Sequence, residues 1–213
     1  MNITIFGATS SIGLELIHQA LTKNYTVTAF DRNIATLIDK DLHLDTFTAV
    51  KGYVFDEDDI EKAIEHCDVV ISCLGGGLDG LDRTRSLGTK NIITQMQKAK
   101  IKRIIALGNE SILNLTVDTL IMDEEEYPEE LKPIAAEHLN VLHQLENSTL
   151  DWTLICPNKI LNVEVNYNYT TNISYLPKQN IGVISTGNTA DFMLNCINNK
   201  EYVKQKIGIS NNK

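Results

Sequence analysis

The sequence has few of the residues that build covalent or metal frameworks. Its four cysteines, Cys67, Cys73, Cys156 and Cys196, form no C-x-x-C pair, so they predict neither a zinc site nor a redox motif. The five histidines show no metal-ligand spacing either. We therefore expect no bound metal and four reduced thiols, most of them in the core.

Cation clusters and long apolar runs are also missing. Acidic residues outnumber basic ones by 28 to 19, and the net charge of -9 repels the phosphate backbone of nucleic acids. No stretch approaches the roughly 20 apolar residues of a membrane span. Residues 1–6 have the pattern of a strand and not of a secretory signal. We expect a cytoplasmic protein with no nucleic-acid or membrane partner.

The chain does contain apolar runs of β type that alternate with segments of helical period, which is typical of βαβ units and a parallel sheet. A chain of 213 residues supports one well-buried core. We expect one α/β domain over residues 1–213, with a doubly wound, mostly parallel sheet flanked by helices. The predicted strands cover residues 3–6, 25–30, 47–54, 69–73, 103–107, 152–156 and 206–210.

The second half of the chain is less regular. An acidic run over residues 123–130 predicts a solvated loop, and a mobile lid is the alternative. Residues 163–184 have the pattern of irregular strands, and residues 108–185 are expected to form most of the substrate side. The helix predicted over residues 133–147 carries His138, which we expect on the helix surface, with the substrate cleft as the alternative.

The first βα junction carries the sequence Gly7-Ala8-Thr9-Ser10-Ser11-Ile12-Gly13. Unpaired N–H groups and the positive end of a helix dipole meet at such a junction, where they favour a pyrophosphate. Gly7 permits the tight turn and Gly13 a close approach of helix and strand. This context predicts a dinucleotide site of the Rossmann type, and an ordinary βα turn is the alternative. The candidate contacts are Gly7, Thr9, Ser10, Ser11, Ile12 and Gly13.

Two charged residues at the end of the second predicted strand bear on the choice of cofactor. A carboxylate at the position of Asp31 bonds the ribose hydroxyls and repels a 2′-phosphate, whereas Arg32 attracts that phosphate. The balance favours NAD slightly and leaves NADP open. After the fourth strand, the run from Cys73 to Gly77 offers a backbone almost without side chains where the ribose would pass. A flexible loop is the alternative interpretation of that run.

Together these motifs resemble the atypical short-chain dehydrogenase/reductases with an NAD(P)H-binding domain, among them the biliverdin-IX-beta/flavin reductases. The similarity covers nearly the whole chain. It depends on the segments 6–13, Lys51-Gly52-Tyr53-Val54, 69–75, Gly88-Thr89-Lys90-Asn91-Ile92, Pro157-Asn158-Lys159-Ile160, 184–185 and Phe192-Met193-Leu194. The resemblance implies that adenine touches Tyr53 and Val54 and that the cofactor passes Leu74, Gly75, Gly76 and Pro157. It places the nicotinamide between the end of strand five and the segment after strand six.

The chain departs from that family at several positions. Ser10 replaces a second glycine, and Tyr53 replaces an acidic residue that meets the adenine amine. Asn109 stands in place of a serine near the nicotinamide, with Ser111 two residues on. Lys159 stands in place of a histidine that assists substrate reduction.

The Tyr-x-x-x-Lys dyad of the larger group is missing from the helix after strand five. Tyr127 has Leu131 four residues on, and we interpret the spacing of Tyr202 and Lys206 as accidental.

The resemblance implies hydride transfer from NAD(P)H to a planar electron acceptor such as a flavin, quinone or tetrapyrrole. These acceptors delocalise charge, so that water can supply the proton. Asn109 and Ser111 are candidates for orienting the acceptor, and Lys159 for attracting an anionic one. For each of them, a capping or surface polar group is the alternative interpretation. The alternative is a non-catalytic NAD(P)-binding regulator that senses redox state. We expect a small-molecule electron acceptor as the partner, and a monomer or homodimer.

Overall fold

The computed structural model describes residues 1–38, 45–77 and 81–212. Ten strands and six α-helices lie in these ranges. The strands are β1 (Asn2–Phe6), β2 (Thr26–Asp31), β3 (Phe47–Lys51), β4 (Val69–Ser72), β5 (Arg103–Leu107), β6 (Asp151–Pro157), β7 (Lys159–Leu161), β8 (Tyr169–Ile173), β9 (Val183–Ser185) and β10 (Gln205–Asn211). The helices are α1 (Ser11–Thr22), α2 (Ala35–Ile38), α3 (Glu57–Ala63), α4 (Thr84–Lys98), α5 (Lys132–Glu146) and α6 (Thr186–Asn195).

Eight of the strands form one sheet in the order β3-β2-β1-β4-β5-β6-β10-β8. All of its neighbours pair in parallel except β8, which runs antiparallel to β10. The small parallel pair β7 and β9 stands apart from it. The central order is that of a doubly wound Rossmann-type sheet, in which ligands bind outside the carboxyl ends of the strands. The predicted α/β fold is confirmed.

Alternation along β1 divides the core into two layers. Ile3 and Ile5 face one side of the sheet, where α1 and α6 pack together, and Phe6 faces the other. On that second side the ring of Phe6 lies 4.9 Å from the ring of Phe30, measured between centroids. Helices α3, α4 and α5 cover this layer. Because both faces are covered, the central strands read as near-continuous apolar runs.

The helix beginnings follow from local side-chain chemistry. The Ser10 hydroxyl accepts a hydrogen bond from the N–H of Gly13 and so caps α1. Asp56 accepts from the N–H groups of Asp58 and Asp59 at the start of α3. Ser185 caps α6 by accepting from Asn188. The cap at Ser10 fixes the geometry of the first βα junction.

Several sequence predictions need adjustment in the second half. The structure adds β7, which the sequence did not predict. Irregular strands over 163–184 are confirmed as β8 and the start of β9. Within the acidic run, residues 123–126 are exposed, which confirms a solvated segment. No helix in the described ranges is long and apolar enough to cross a membrane.

Candidate cofactor and acceptor site

The turn between β1 and α1 tolerates only glycine at two positions. Gly7 has a φ of +77°, and a Cβ there would lie 2.5 Å from the carbonyl oxygen of Cys73 on the neighbouring strand end. A Cβ on Gly13 would lie 2.4 Å from the carbonyl oxygen of Gly7. Both contacts are with backbone atoms, so no side-chain movement could relieve them. Such a tight glycine turn is the cradle that a pyrophosphate requires.

Ser10 stabilises this turn in place of the glycine that the family usually has. Its hydroxyl donates to the carbonyl of Gly7 at 2.8 Å and accepts from the N–H of Gly13 at 3.0 Å. The N–H groups of Gly7 and Ala8 both donate to the carbonyl of Phe30. The turn is thus preorganised by contacts of its own.

A cleft of about 400 Å³ extends from this turn along the carboxyl ends of β1, β2 and β4, within the size range of ligand pockets. It brings together most of the predicted cofactor contacts: Gly7, Thr9, Ser10, Asp31, Arg32, Val54, Leu74, Gly75 and Gly76.

Five predicted contacts do not line this cleft. Ser11 is exposed at the start of α1, and Ile12 and Gly13 are buried beneath the turn, so Ile12 could contribute only its backbone N–H. Tyr53 is half exposed, and Pro157 is buried at the end of β6.

Asp31 contacts the glycine turn directly. One carboxylate oxygen accepts from the N–H of Thr9 at 3.1 Å and the other from the N–H of Asn33 at 3.3 Å. Arg32 is exposed on the same cleft wall, and its charge acts on Asp82 across the cleft. Asp31 therefore shapes the turn and lines the cleft next to it.

The glycine-rich run after β4 is held in place. The nearly buried guanidinium of Arg85 donates to the carbonyls of Gly76 at 3.0 Å and Gly77 at 3.1 Å. Asp82 accepts from the N–H of Gly77 at 2.9 Å. Hydrogen bonding to Thr84, first from its side chain, lowers the pKa of Asp82 to about 2. These contacts argue against a flexible loop over residues 74–77, and the sequence did not single out Asp82 or Arg85.

At the carboxyl end of β5, the structure brings Asn109 and Ser111 together. The Asn109 side-chain oxygen accepts from both the N–H and the hydroxyl of Ser111, and Ser111 is fully buried. Lys159 is exposed on β7, and no hydrogen bond among the described residues joins it to either of them. Of the three predicted catalytic side chains, two therefore form a pair and the third stands apart.

Three further polar residues lie near that pair, and the sequence predicted no role for any of them. The Asn158 amide donates to the Glu110 carboxylate at 2.7 Å. Burial raises the pKa of Glu110, and the bond from Asn158 opposes the rise. Tyr127 lies beside Ser111; burial raises the pKa of its phenol, and the Glu110 charge adds to that. Glu110, Asn158, Ser111 and Tyr127 form what we call the β5–β6 polar cluster.

The prediction for His138 is wrong. Its side chain, on α5, is only 6% exposed, and α5 packs against α4. Burial lowers the pKa of His138 to about 3, and the Arg85 charge adds to the decrease. The imidazole of His138 is therefore neutral, and it lies near Arg85, which bonds the glycine-rich run.

Tyr202 and Lys206 make separate contacts. The Tyr202 ring packs on Phe192, and the Lys206 ammonium donates to the carbonyl of Ile112 at 2.7 Å. They do not form a catalytic dyad.

A family model described as NAD(P)H-binding matches residues 7–200. The chain belongs to this NAD(P)H-binding family. The match confirms the resemblance to atypical short-chain dehydrogenase/reductases and identifies NAD(P)H as the cofactor class. Among curated proteins, the uncharacterised YwnB of Bacillus subtilis (strain 168) is 26% identical over 162 residues, which cover 74% of this chain and 71% of YwnB.

Solved structures share the fold over the full length. The oxidoreductase YlbE from Lactococcus lactis superposes with a TM-score of 0.81 at 22% identity and covers 100% of this chain and 92% of its own. A provisionally assigned NADH-flavin reductase from Streptococcus pneumoniae TIGR4 superposes with a TM-score of 0.81 at 21% identity, with 99% of both chains covered. A short-chain dehydrogenase/reductase from Veillonella parvula DSM 2008, solved with NADP, superposes with a TM-score of 0.77 at 17% identity. The match covers 98% of this chain and 94% of that one.

Proposed function

We propose that the protein is an NAD(P)H-dependent reductase that transfers hydride to a planar acceptor such as a flavin, quinone or tetrapyrrole. One observation carries the proposal: the glycine-built cleft and the β5–β6 polar cluster both lie at the carboxyl edge of one sheet. That edge is where ligands bind in doubly wound folds. The acceptor would occupy the side formed mainly by residues 108–185.

In this proposal the chain's own groups hold the cofactor. The first-turn N–H groups of Ser11 and Ile12 have no intrahelical acceptor and would meet the pyrophosphate. Asp31 and Arg32 would flank the adenosine ribose, and the run held by Arg85 would cover the second ribose. The bound cofactor supplies the hydride. The Asn109–Ser111 pair would fix the shape of the nicotinamide pocket.

The test is a binding and turnover assay with purified protein. At a hundredfold excess over the dissociation constant, NADPH or NADH stabilises the folded state by about 2.7 kcal/mol. For a chain of this size, that raises the melting temperature by roughly 5–10 °C. Cofactor oxidation is then followed with flavins, quinones and tetrapyrroles. Binding without turnover of any acceptor would support the non-catalytic regulator instead, and no thermal shift would contradict both.

Asp31→Ala should shift the preference toward NADPH by roughly tenfold, because it removes the charge that repels a 2′-phosphate and leaves Arg32 in place. Asp31→Asn is the matched variant: it removes the charge but keeps an oxygen that can accept from Thr9. Both should change the ratio of the two dissociation constants, and only the alanine variant should also weaken binding overall. An unchanged ratio in both variants would mean that Asp31 does not face the ribose.

Lys159→Ala should raise the KM for an anionic acceptor such as flavin mononucleotide and leave kcat largely intact, the pattern of lost uniform binding. Added salt should reduce the difference, since Lys159 is exposed. Lys178→Ala is the control, because Lys178 is an exposed lysine between β8 and β9. A collapse of kcat with every acceptor would instead place Lys159 in the chemical step.

A further inference from the structure

The β5–β6 polar cluster contains a carboxyl group at the edge where the acceptor would bind. Glu110 follows β5 and Asn158 follows β6, and these strands are paired in parallel up to Leu107 and Ile155. Their carboxyl ends therefore meet, and the Asn158 amide donates to Oε2 of Glu110 at 2.7 Å. Asn158 is only 6% exposed, so this bond is fixed by the packing around it.

That bond decides which carboxyl oxygen can carry a proton. Oε2 accepts from the Asn158 amide, so it is the carbonyl-type oxygen of a protonated carboxyl group. Within the described part of the chain, Oε1 of Glu110 makes no hydrogen bond. In the protonated carboxyl group the proton therefore sits on Oε1, for which the described residues provide no acceptor.

We propose that Glu110 is the proton donor of the reductase and protonates the acceptor as the hydride arrives. This inference rests on the proposed function. The acceptor takes two electrons and one hydrogen from the C4–H bond of the reduced nicotinamide, which is thereby oxidised. The O–H bond of Glu110 breaks, and its proton bonds to the acceptor oxygen or nitrogen that would otherwise be anionic. Water then returns a proton to the carboxylate.

The neighbouring groups support Glu110 over Tyr127 in this role. Burial raises the pKa of Glu110, and a general acid is most effective when its pKa lies near the working pH. Burial also raises the pKa of Tyr127 and outweighs the opposing hydrogen bond with Ser111, so the phenol becomes a weaker acid. The Ser111 hydroxyl is already bonded to Asn109.

The titratable groups on the elements packed against Glu110 have surroundings of their own. On α5, Glu137 pairs with Arg83, and His138 is buried with a pKa of about 3. The elements packed against residues 110–112 are β6, α5 and the short helix Ile121–Asp123. Asn158 is the neutral group beyond β6, and Tyr127 precedes α5. Asp123 accepts from the N–H of Leu120. Lys206 bonds the carbonyl of Ile112. A titration near Glu110 is therefore assigned by comparing variants of Glu110 and Tyr127.

The first test needs no turnover. In protein labelled with ¹³C-glutamate, one carboxyl should titrate above the ordinary glutamate value of about 4.3. That signal should be absent from Glu110→Gln and present in Glu125→Gln, which alters an exposed glutamate of the acidic run 123–130. A carboxyl whose pKa folding raises costs stability as pH rises through that pKa. Glu110→Gln should therefore melt above wild type at pH 8 and level with it at pH 4.

The second test is kinetic. With a quinone acceptor, Glu110→Gln should lower kcat by about 10²- to 10⁴-fold, the range for a general acid, and leave NADPH affinity unchanged. Wild-type kcat should fall as pH rises through the same pKa that the carboxyl titration reports, and the variant should lose that dependence. Glu125→Gln should behave as wild type.

The opposing outcomes are distinct. Destabilisation of Glu110→Gln at pH 8 would show a merely structural carboxylate and overturn the inference. A kcat of Glu110→Gln within threefold of wild type would also overturn the inference, but it would leave the proposed reductase function intact. A loss of kcat in Tyr127→Phe and not in Glu110→Gln would have the same meaning. Failure of the wild-type protein to reduce any acceptor would remove the proposed function itself and the donor role with it.

Discussion

Gly7→Ala is expected to lower the free energy of unfolding by about 2–5 kcal/mol and to abolish NAD(P)H binding in whatever fraction remains folded. The left-handed backbone at Gly7 costs an alanine about 1–2 kcal/mol. The new methyl would also lie 2.5 Å from the Cys73 carbonyl oxygen, and overpacking of this kind costs about 1–3 kcal/mol more. Relief requires β1 and β4 to separate where the cleft begins.

Gly75→Ala is the matched control for this prediction. Gly75 lines the same cleft, but a Cβ there would meet no heavy atom within 4 Å and its φ is not positive. We expect its stability to stay within about 1 kcal/mol of wild type. Urea unfolding and fluorescence titration with NADPH measure both quantities. Equal behaviour of the two variants would contradict the described geometry of the turn.

Arg85→Met should weaken NAD(P)H binding by tenfold or more while the protein remains folded. The guanidinium makes two charge-assisted bonds to the carbonyls of Gly76 and Gly77, and bonds of this kind contribute about 1.5–3 kcal/mol each. Methionine fills the space but cannot donate, so this wall of the cleft would have to be ordered when the cofactor binds. Part of the binding free energy would be lost in that ordering.

Lys90→Met, on the exposed side of the same helix α4, controls for removal of a positive charge and should leave affinity unchanged. Calorimetric titration gives the dissociation constants, and thermal melts establish that both variants are folded. If Arg85→Met binds as wild type does, the run after β4 does not contribute to the cofactor site.

The sequence predicted the features that depend on short segments. Strand and helix alternation and the glycine turn are local patterns, and the structure confirms the sheet that they predict. Ser10 shows the limit of such patterns, because it was interpreted as a departure from a glycine position. Its hydroxyl in fact caps α1 and bonds Gly7, a role that the residue type allows and only the turn geometry reveals.

The features missed from the sequence join distant segments. Glu110 and Asn158 meet only because β5 and β6 are neighbours in the sheet, and nothing in either segment announces the other. His138 is different, since a signal was available. It stands three residues after Ala135 and four before Leu142, both buried, so helical spacing placed it on the core side of α5. Its polar character outweighed that spacing in the prediction.

Strand β10 lies between β6 and β8 in the sheet although it follows both along the chain. The strands along which the cofactor cleft lies, β1, β2 and β4, pair with one another and with β3 and β5, and none of them pairs with β10. Strand β10 carries Lys206, which bonds the Ile112 carbonyl next to the β5–β6 polar cluster. It is also the antiparallel partner of β8. Because β10 follows β1 to β5 along the chain, the pairings among those five strands can form during synthesis before β10 joins β6 and β8. In a nascent chain the cofactor half is therefore expected to assemble before the acceptor half, so that protection from hydrogen exchange appears in β1 before it appears in β8.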